Sequence, residues 1–168
     1  ICFFGPLGFK QGVWNTRAYY IISDLFEVLS DDVDITMITG PIPEHAYDGF
    51  SYLQNQFDVD IFEMPRLGNG SIQYKILENA WSFLDILKPN IITNSFGASF
   101  FGYPCGVLKK HHGCRQILRS AGDEIGSRLH LGVYEENSNN HLRDIEFEKT
   151  GIRLADNIIC MSPWEQDR

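Results

Sequence analysis

Two adjacent carboxylates, Asp123 and Glu124, are the residues of this sequence best suited to acid–base chemistry. They follow the segment 114–120, which is centred on Ile117 and Leu118 and predicts a β-strand. At the carboxyl end of a strand, either residue would be well placed as a general base or as an acceptor for a substrate hydroxyl. The pattern leaves a second interpretation open, in which one carboxylate caps the following segment and the other is solvated.

A glycine-rich segment near the start of the chain is a second candidate site. Gly5, Gly8 and Gly12 follow the apolar run Ile1–Phe4 and precede an amphipathic helical pattern. The free backbone N–H groups at the start of such a helix favour an anion, and Arg17 lies in the same place. These glycines are equally compatible with a tight strand–helix connection that binds nothing.

Three more polar residues lie in or directly after predicted strands. Asn94 and Ser95 end one strand, where they would either donate to a sugar hydroxyl or simply terminate the strand. Arg119 interrupts an apolar strand, so it is expected to lie at a sheet edge, to pair with a carboxylate or to face an anion, and pairing is the favoured choice. The predicted catalytic residues are therefore Asp123 and Glu124, and the predicted substrate-binding residues are Gly8, Gly12, Arg17, Asn94, Ser95 and Arg119.

The sequence predicts no metal site and no cofactor. His111 and His112 lie at a predicted helix end, where cations suit the helix dipole. Because no Cys, Asp or Glu stands at ligand spacing from them, a surface role is favoured over metal binding. The glycines are spaced G-x-x-G-x-x-x-G, and neither a phosphate-binding G-x-x-x-x-G-K-[ST] nor a G-x-S-x-G motif is present. Nicotinamide binding, nucleoside-triphosphate hydrolysis and serine-hydrolase chemistry are thereby disfavoured.

Composition limits the classes of protein and partner. The 168 residues, 43% of them hydrophobic, suit one globular domain with a substantial core. The formal net charge of −8 argues against a nucleic-acid partner, because such binding depends on basic side chains. Four scattered cysteines suggest reduced, mostly buried thiols in a cytoplasmic protein. No apolar run approaches the length of a membrane helix, which leaves only peripheral contact with a membrane surface open.

Apolar runs separated by helical patterns predict an α/β fold with a doubly wound parallel sheet of about six strands. The clearest helix begins after Ser71, its expected cap, and ends before Pro89. Strands are expected at 1–4, 33–39, 59–64, 90–95, 114–120 and 157–161, in the sheet order 3-2-1-4-5-6, and further helices at 104–113 and 141–155, with a polar loop at 125–140. In such a sheet the loops after strands 1, 4 and 5 would line one crevice.

Five segments in this order resemble the N-terminal domain of GT-B glycosyltransferases, especially the large retaining family 4. They are the glycine loop with Trp14-Asn15-Thr16-Arg17, the strand 33–39, Leu87-Lys88-Pro89-Asn90-Ile91-Ile92, the strand and turn 118–124, and Leu154-Ala155-Asp156-Asn157-Ile158-Ile159-Cys160-Met161-Ser162. The similarity extends over nearly the whole chain, and the last segment is its most specific part.

The resemblance implies a two-domain enzyme of which residues 1–168 form the acceptor-side, Rossmann-like half. The other half, absent from this chain, would bind the nucleotide-sugar donor, and the acceptor would be a glycan, a lipid or a small molecule. The full-length protein is therefore expected to be a cytoplasmic glycosyltransferase, with contact to the inner face of the membrane left open. The fragment alone is expected to be inactive.

One position departs from the family pattern. Many relatives have a catalytic histidine just before the glycine that follows strand 5, whereas this sequence has Ala121. Either Asp123 or Glu124 then replaces its function, or the enzyme uses no side chain there. The alternative function is a stand-alone α/β binding or interaction module. The capping box Ser162–Glu165 predicts the start of a further helix, but the sequence ends at Arg168. The chain is therefore expected to be a piece of a longer polypeptide, which argues against the stand-alone module.

Overall fold

A computed structural model describes residues 1–5, 33–42, 44, 51, 54–55, 58–65, 71–94, 97–120 and 122–160. Six parallel strands form one sheet in the order β3-β2-β1-β4-β5-β6, which confirms the predicted architecture and strand order. The strands are β1 (Cys2–Phe4), β2 (Thr36–Thr39), β3 (Asp60–Glu63), β4 (Ile91–Asn94), β5 (Arg115–Ser120) and β6 (Asn157–Cys160).

The strand order changes direction between β1 and β4: β2 and β3 lie on one side of β1, and β4, β5 and β6 lie on the other. Phe4 of β1 pairs with Ile38 of β2 on one side and with Asn94 of β4 on the other. Every residue of β1 and β2 is buried, as expected of central strands covered on both faces. The carboxyl ends of β1 and β4 therefore meet at the switch point, where open α/β sheets bind ligands.

The described helices are α1 (Ile72–Leu87), α2 (Tyr103–His112), α3 (Glu124–His130) and α4 (Asn139–Leu154), and a π-helical turn, Ala98–Gly102, leads into α2. Helix α1 matches its predicted bounds because its apolar stripe buries Ile76, Ala80 and Leu84. The predicted cap by Ser71 is wrong in its detail: the Ser71 hydroxyl donates to Gln73 Oε1 at 2.5 Å and makes no capping bond.

Residues 124–130 correct the prediction of a polar loop at 125–140. They form α3, which buries only Ile125, so its amphipathic pattern is too short to stand out in the sequence. Helix α4 begins two residues before its predicted start because Ser138 caps it by accepting from the His141 N–H. The helix predicted after the glycine-rich segment lies outside the described residues.

The core lies between the sheet and helices α1 and α2. It contains Phe4, Ile38, Ile92, Leu84 and Leu108, all fully buried. Three of the four cysteines are buried and all four are free, as predicted. Burial raises the thiol pKa of Cys105 well above its usual range, so this thiol stays protonated and unreactive. No helix in the described parts of the chain is long and apolar enough to cross a membrane.

Candidate functional site

Asn94 joins the carboxyl ends of β4 and β5. Its side-chain amide donates to the Arg119 carbonyl and its carbonyl accepts from the Arg119 N–H, both at 3.0 Å. The buried Asn94 side chain thus makes the two hydrogen bonds that a further backbone residue would make between the strands. Asn94 and the Arg119 backbone therefore hold β4 and β5 together at their carboxyl ends. The contact of these two residues with substrate stays a prediction.

Four polar residues and one glycine surround the start of α3 beside this edge, and we call them the carboxyl-edge cluster: Gly97, Ser99, Glu124, Arg128 and Asp144. The Ser99 hydroxyl donates to Glu124 Oε2 at 2.7 Å. Gly97 has a φ of +96°, and a Cβ there would lie 2.9 Å from Glu124 Oε1. A glycine therefore serves both the turn and the close approach of the carboxylate. As predicted, the segments following β4 and β5 meet.

Helix α1 holds Ser99 in place from the other side. The buried side chain of Gln73 donates to the Ser99 carbonyl at 3.0 Å. Ser99 is itself fully buried, so its hydroxyl has a fixed position from which to meet Glu124. The orientation of the Glu124 carboxylate is thus set by three separate elements: α1, the π-helical turn and α3.

The Glu124 carboxyl has a raised pKa. Burial is the largest cause, because the ionised form loses hydration. The Ser99 hydroxyl and the Arg128 guanidinium act in the opposite direction and moderate the effect. A carboxyl shifted in this way exchanges a proton closer to neutral pH than an exposed glutamate does, which suits a general acid or base.

The Arg128–Asp144 ion pair fixes the far side of this cluster. Arg128 Nη1 donates to Asp144 Oδ2 at 2.7 Å, with the two side chains only 13% and 5% exposed. The guanidinium carbon lies 3.6 Å from the centroid of the Phe100 ring, in cation–π geometry. Arg143 also approaches Asp144, with Nη2 3.3 Å from Oδ1. Helix α3 is therefore tied to both α4 and the π-helical turn.

Asp123 and Glu124 have different environments although they are adjacent. Asp123 Oδ1 accepts from the Gly126 N–H at 2.8 Å and so caps α3. This confirms capping for one of the two carboxylates. The accompanying expectation of a solvated partner is wrong, because Glu124 is partly buried and hydrogen-bonded to Ser99. The catalytic roles of both residues stay predictions.

A cleft of about 520 Å³ lies beyond β5, between α3 and α4. Ser120, Gly122 and Asp123 line it at the strand end. Its other polar lining residues carry more negative than positive side chains: Glu136, His141, Glu148 and Lys149. Carboxylates accept hydrogen bonds from hydroxyl groups, so this lining suits a ligand rich in hydroxyls better than an anion.

Four predicted binding residues, Gly8, Gly12, Arg17 and Ser95, lie outside the described residues, as does Ala121. Sequence reasoning missed Ser99 and Arg128, which stabilise the Glu124 carboxylate, and Asp144, which pairs with Arg128. Nothing in the sequence pattern identifies Ser99, and Arg128 and Asp144 are 16 residues apart, one of them in the segment predicted as loop. Of the carboxyl-edge cluster's other members, only Gly97 could have been found from the sequence, because it is a glycine directly after a predicted strand.

Comparison with known proteins gives relatives in structure but not in sequence. No protein-family model and no curated protein sequence matches the chain. A structure described as a UDP-N-acetylglucosamine 2-epimerase from Listeria monocytogenes superposes on 99% of the chain with a TM-score of 0.63 and 12% identity. MurG from Acinetobacter baumannii superposes on 96% with a TM-score of 0.51, also at 12% identity.

Both neighbours have GT-B-type folds. The chain shares the fold of one part of them. It spans 41% of the length of the first and 40% of the second. The resemblance drawn from the sequence is thereby supported at the level of the fold, a six-stranded parallel Rossmann-like sheet.

Proposed function

We propose that this chain is the acceptor-side half of a GT-B glycosyltransferase, which transfers a sugar from a nucleotide-sugar donor to a glycan, lipid or small-molecule acceptor. The observation that carries the proposal is the position of Glu124. Its hydrogen-bonded, partly buried carboxyl lies beside the carboxyl edge of a parallel sheet, within a fold shared with MurG. In such sheets this edge is where ligands bind and where an acid–base group is useful.

In this proposal Glu124, which lies between the cleft-lining residues Asp123 and Ile125 without lining the cleft itself, exchanges the proton of the acceptor hydroxyl. Its Oε2 is held by Ser99, while its Oε1 packs against Gly97, in the space that a side chain there would need. A base of raised pKa takes a hydroxyl proton more readily than an exposed glutamate does. Arg128 then moderates the cost of the charge that Glu124 carries while ionised.

The acceptor in this proposal is rich in hydroxyl groups. Asp123, Glu136 and Glu148 supply acceptor oxygens to the cleft beyond β5, and Lys149 is the one lysine or arginine of its described lining. The donor's nucleotide would be bound by a second half, consistent with the two-fifths share of the neighbours that this chain spans. Assignment to retaining family 4, a cytoplasmic location and contact with the inner membrane face belong to the same proposal.

The experiment incubates the full-length protein with radiolabelled UDP-, GDP- and ADP-sugars and a pool of oligosaccharides and membrane lipids. We expect label to move from one donor into an acceptor, with the anomeric configuration of the donor retained in the product by NMR. Glu124→Gln should reduce the rate, while Glu135→Gln, an exposed glutamate of the following turn, should not. Conversion of the donor into an epimer without any acceptor would overturn the proposal, as would transfer that is unchanged in Glu124→Gln.

A further inference from the structure

Helices α1 and α2 end side by side at the amino edge of the sheet, opposite the candidate catalytic residues. Asp85 lies in the last turn of α1, and His111 and His112 are the final residues of α2. His112 Nδ1 lies 3.3 Å and His111 Nε2 3.7 Å from the same oxygen, Asp85 Oδ1. We call these three residues the amino-edge cluster. The carboxylate that was missing at ligand spacing in the sequence is thus supplied by a different helix.

We propose that the amino-edge cluster is a binding site for a divalent transition metal, best suited to zinc. One nitrogen or oxygen ligand atom from each of the three residues lies within 4.8 Å of the others. Two ligands of a tetrahedral zinc ion, each at about 2.0–2.1 Å, are about 3.3–3.4 Å apart, close to the two separations seen here. Two imidazoles and one carboxylate leave a fourth position for water.

Trp81 gives the two imidazoles a fixed setting. It lies one turn before Asp85 on α1, with its ring centroid 4.1 Å from that of His111 and 6.0 Å from that of His112. The two imidazole rings are 4.7 Å apart and nearly perpendicular, at 88°. Because aromatic packing restricts both rings, less conformational freedom is lost when a metal binds.

The helix dipoles at this corner favour a cation, and they act against the positive charges of Lys110, in the last turn of α2, and Lys88, directly after α1. Two helix carboxyl ends meet here, and each contributes partial negative charge from its free carbonyl groups. The nearby ammonium of Lys109 is directed elsewhere, donating to the Leu154 carbonyl at 2.8 Å and to Asp156 at 2.7 Å.

The metal would connect the ends of α1 and α2 and so stabilise their packing on the sheet. Asp85 and His111 are 57% and 44% exposed, so an ion can reach them from solvent. His112, at 5%, forms the inner wall. An ion that binds the folded chain but not the unfolded one raises the stability by RT ln(1 + [L]/Kd), where [L] is the free metal concentration. This role is independent of the sugar-transfer proposal.

The test is zinc and cobalt titration of the metal-free full-length protein. We expect one equivalent of Zn²⁺ to bind and raise Tm, and Co²⁺ to give the intense visible bands of a four-coordinate site. His111→Gln and Asp85→Asn should each lower the affinity for Zn²⁺ by at least about 10–100-fold. Mutating a residue that only hydrogen-bonds to a metal ligand already lowers metal affinity by this much. Both residues are exposed, so the fold should survive either change.

The matched control is His130→Gln, an exposed histidine on α3 remote from this corner. It should keep the wild-type affinity and Tm shift. The proposal is overturned if Zn²⁺ does not raise the Tm of the wild-type protein. It is equally overturned if His111→Gln and Asp85→Asn bind Zn²⁺ as His130→Gln does, because the metal then lies elsewhere and the cluster is only an Asp–His contact.

Discussion

The carboxyl-edge cluster and the amino-edge cluster place charged side chains at opposite edges of one sheet, with opposite exposure. Arg128 and Asp144 are 13% and 5% exposed, and their ion pair is 2.7 Å long. Asp85 is more than half exposed and lies 3.3–3.7 Å from its two histidines. The carboxyl-edge cluster has fixed geometry and a perturbed glutamate, whereas Asp85 and His111 leave the amino-edge cluster open to ions from solvent above the buried His112. The difference in burial therefore makes Glu124 a candidate for proton transfer and the amino-edge cluster a candidate for ion binding.

The largest expected loss of stability follows removal of Asp144. Asp144→Ala leaves Arg128 buried without its carboxylate, which should lower the free energy of unfolding by about 3–5 kcal/mol. The control on the same helix is Glu146→Ala, whose exposed partner Lys149 is 3.6 Å away. That change should cost about 1 kcal/mol or less. Urea unfolding measures both, and equal losses would show that the Arg128–Asp144 pair is not isolated from solvent.

Gly97→Ala should rank second. A side chain at its φ of +96° is strained and its Cβ would lie 2.9 Å from Glu124 Oε1, which together predict a loss of about 2–4 kcal/mol. Gly113, which ends α2 at the other edge, also has a positive φ of 69° but nothing within 4 Å of an added Cβ. Gly113→Ala should therefore cost only about 1–2 kcal/mol. A Gly113→Ala loss as large as that of Gly97→Ala would contradict the close approach to Glu124.

The pH dependence of stability should show the raised pKa of Glu124. The folded state holds this proton above the ordinary value of 4.5, so the contribution of Glu124 is full below pH 4.5 and is lost as pH rises through the raised pKa. Glu124→Gln resembles the protonated form at every pH. The stability of this variant relative to wild type should therefore increase with pH above 4.5 and then level off. A difference that does not change with pH would contradict a buried Glu124.

The smallest effects belong to the amino-edge cluster in the absence of metal. Asp85→Asn should change stability by about 1 kcal/mol or less, because the Asp85 carboxylate is more than half exposed. The pKa of His112 lies below its ordinary value of 6.5, chiefly through burial, and Asp85 opposes that shift. Stability from His112 is thus lost as pH falls below 6.5, opposite in sign to Glu124. In an NMR titration Asp85→Asn should lower the His112 pKa further, and an increase would contradict the contact.

Periodicity and strand-end rules predicted the framework correctly. Six apolar runs gave the strands and their order, and the stripe containing Ile76, Ala80 and Leu84 gave the bounds of α1, because both features are repeated over many residues. Helix α3 was missed because seven residues with one buried apolar side chain carry no comparable repeat. Its cap, Asp123, was recognised only as one of two alternatives.

The two clusters were harder to predict because their members come from distant parts of the chain. Glu124 was identified as a candidate by its position after a strand, but its partner Ser99 is 25 residues away. Asp85 and His111 are on different helices, so spacing in the sequence argued against a metal. Tertiary packing brings these groups together, and no local pattern in a single sequence shows which distant residues will be in contact.

The most direct measurement of the central claim is kcat for sugar transfer by the full-length Glu124→Gln variant. Loss of a general acid–base group should reduce kcat by about 10²–10⁴-fold, with little change in KM for the donor. Glu135→Gln, which removes an exposed carboxylate in the segment after α3, should keep the wild-type kcat, and both variants should keep the wild-type circular dichroism spectrum. A folded Glu124→Gln variant with wild-type kcat would contradict the account, because the carboxyl edge would then hold no acid–base group that the reaction needs.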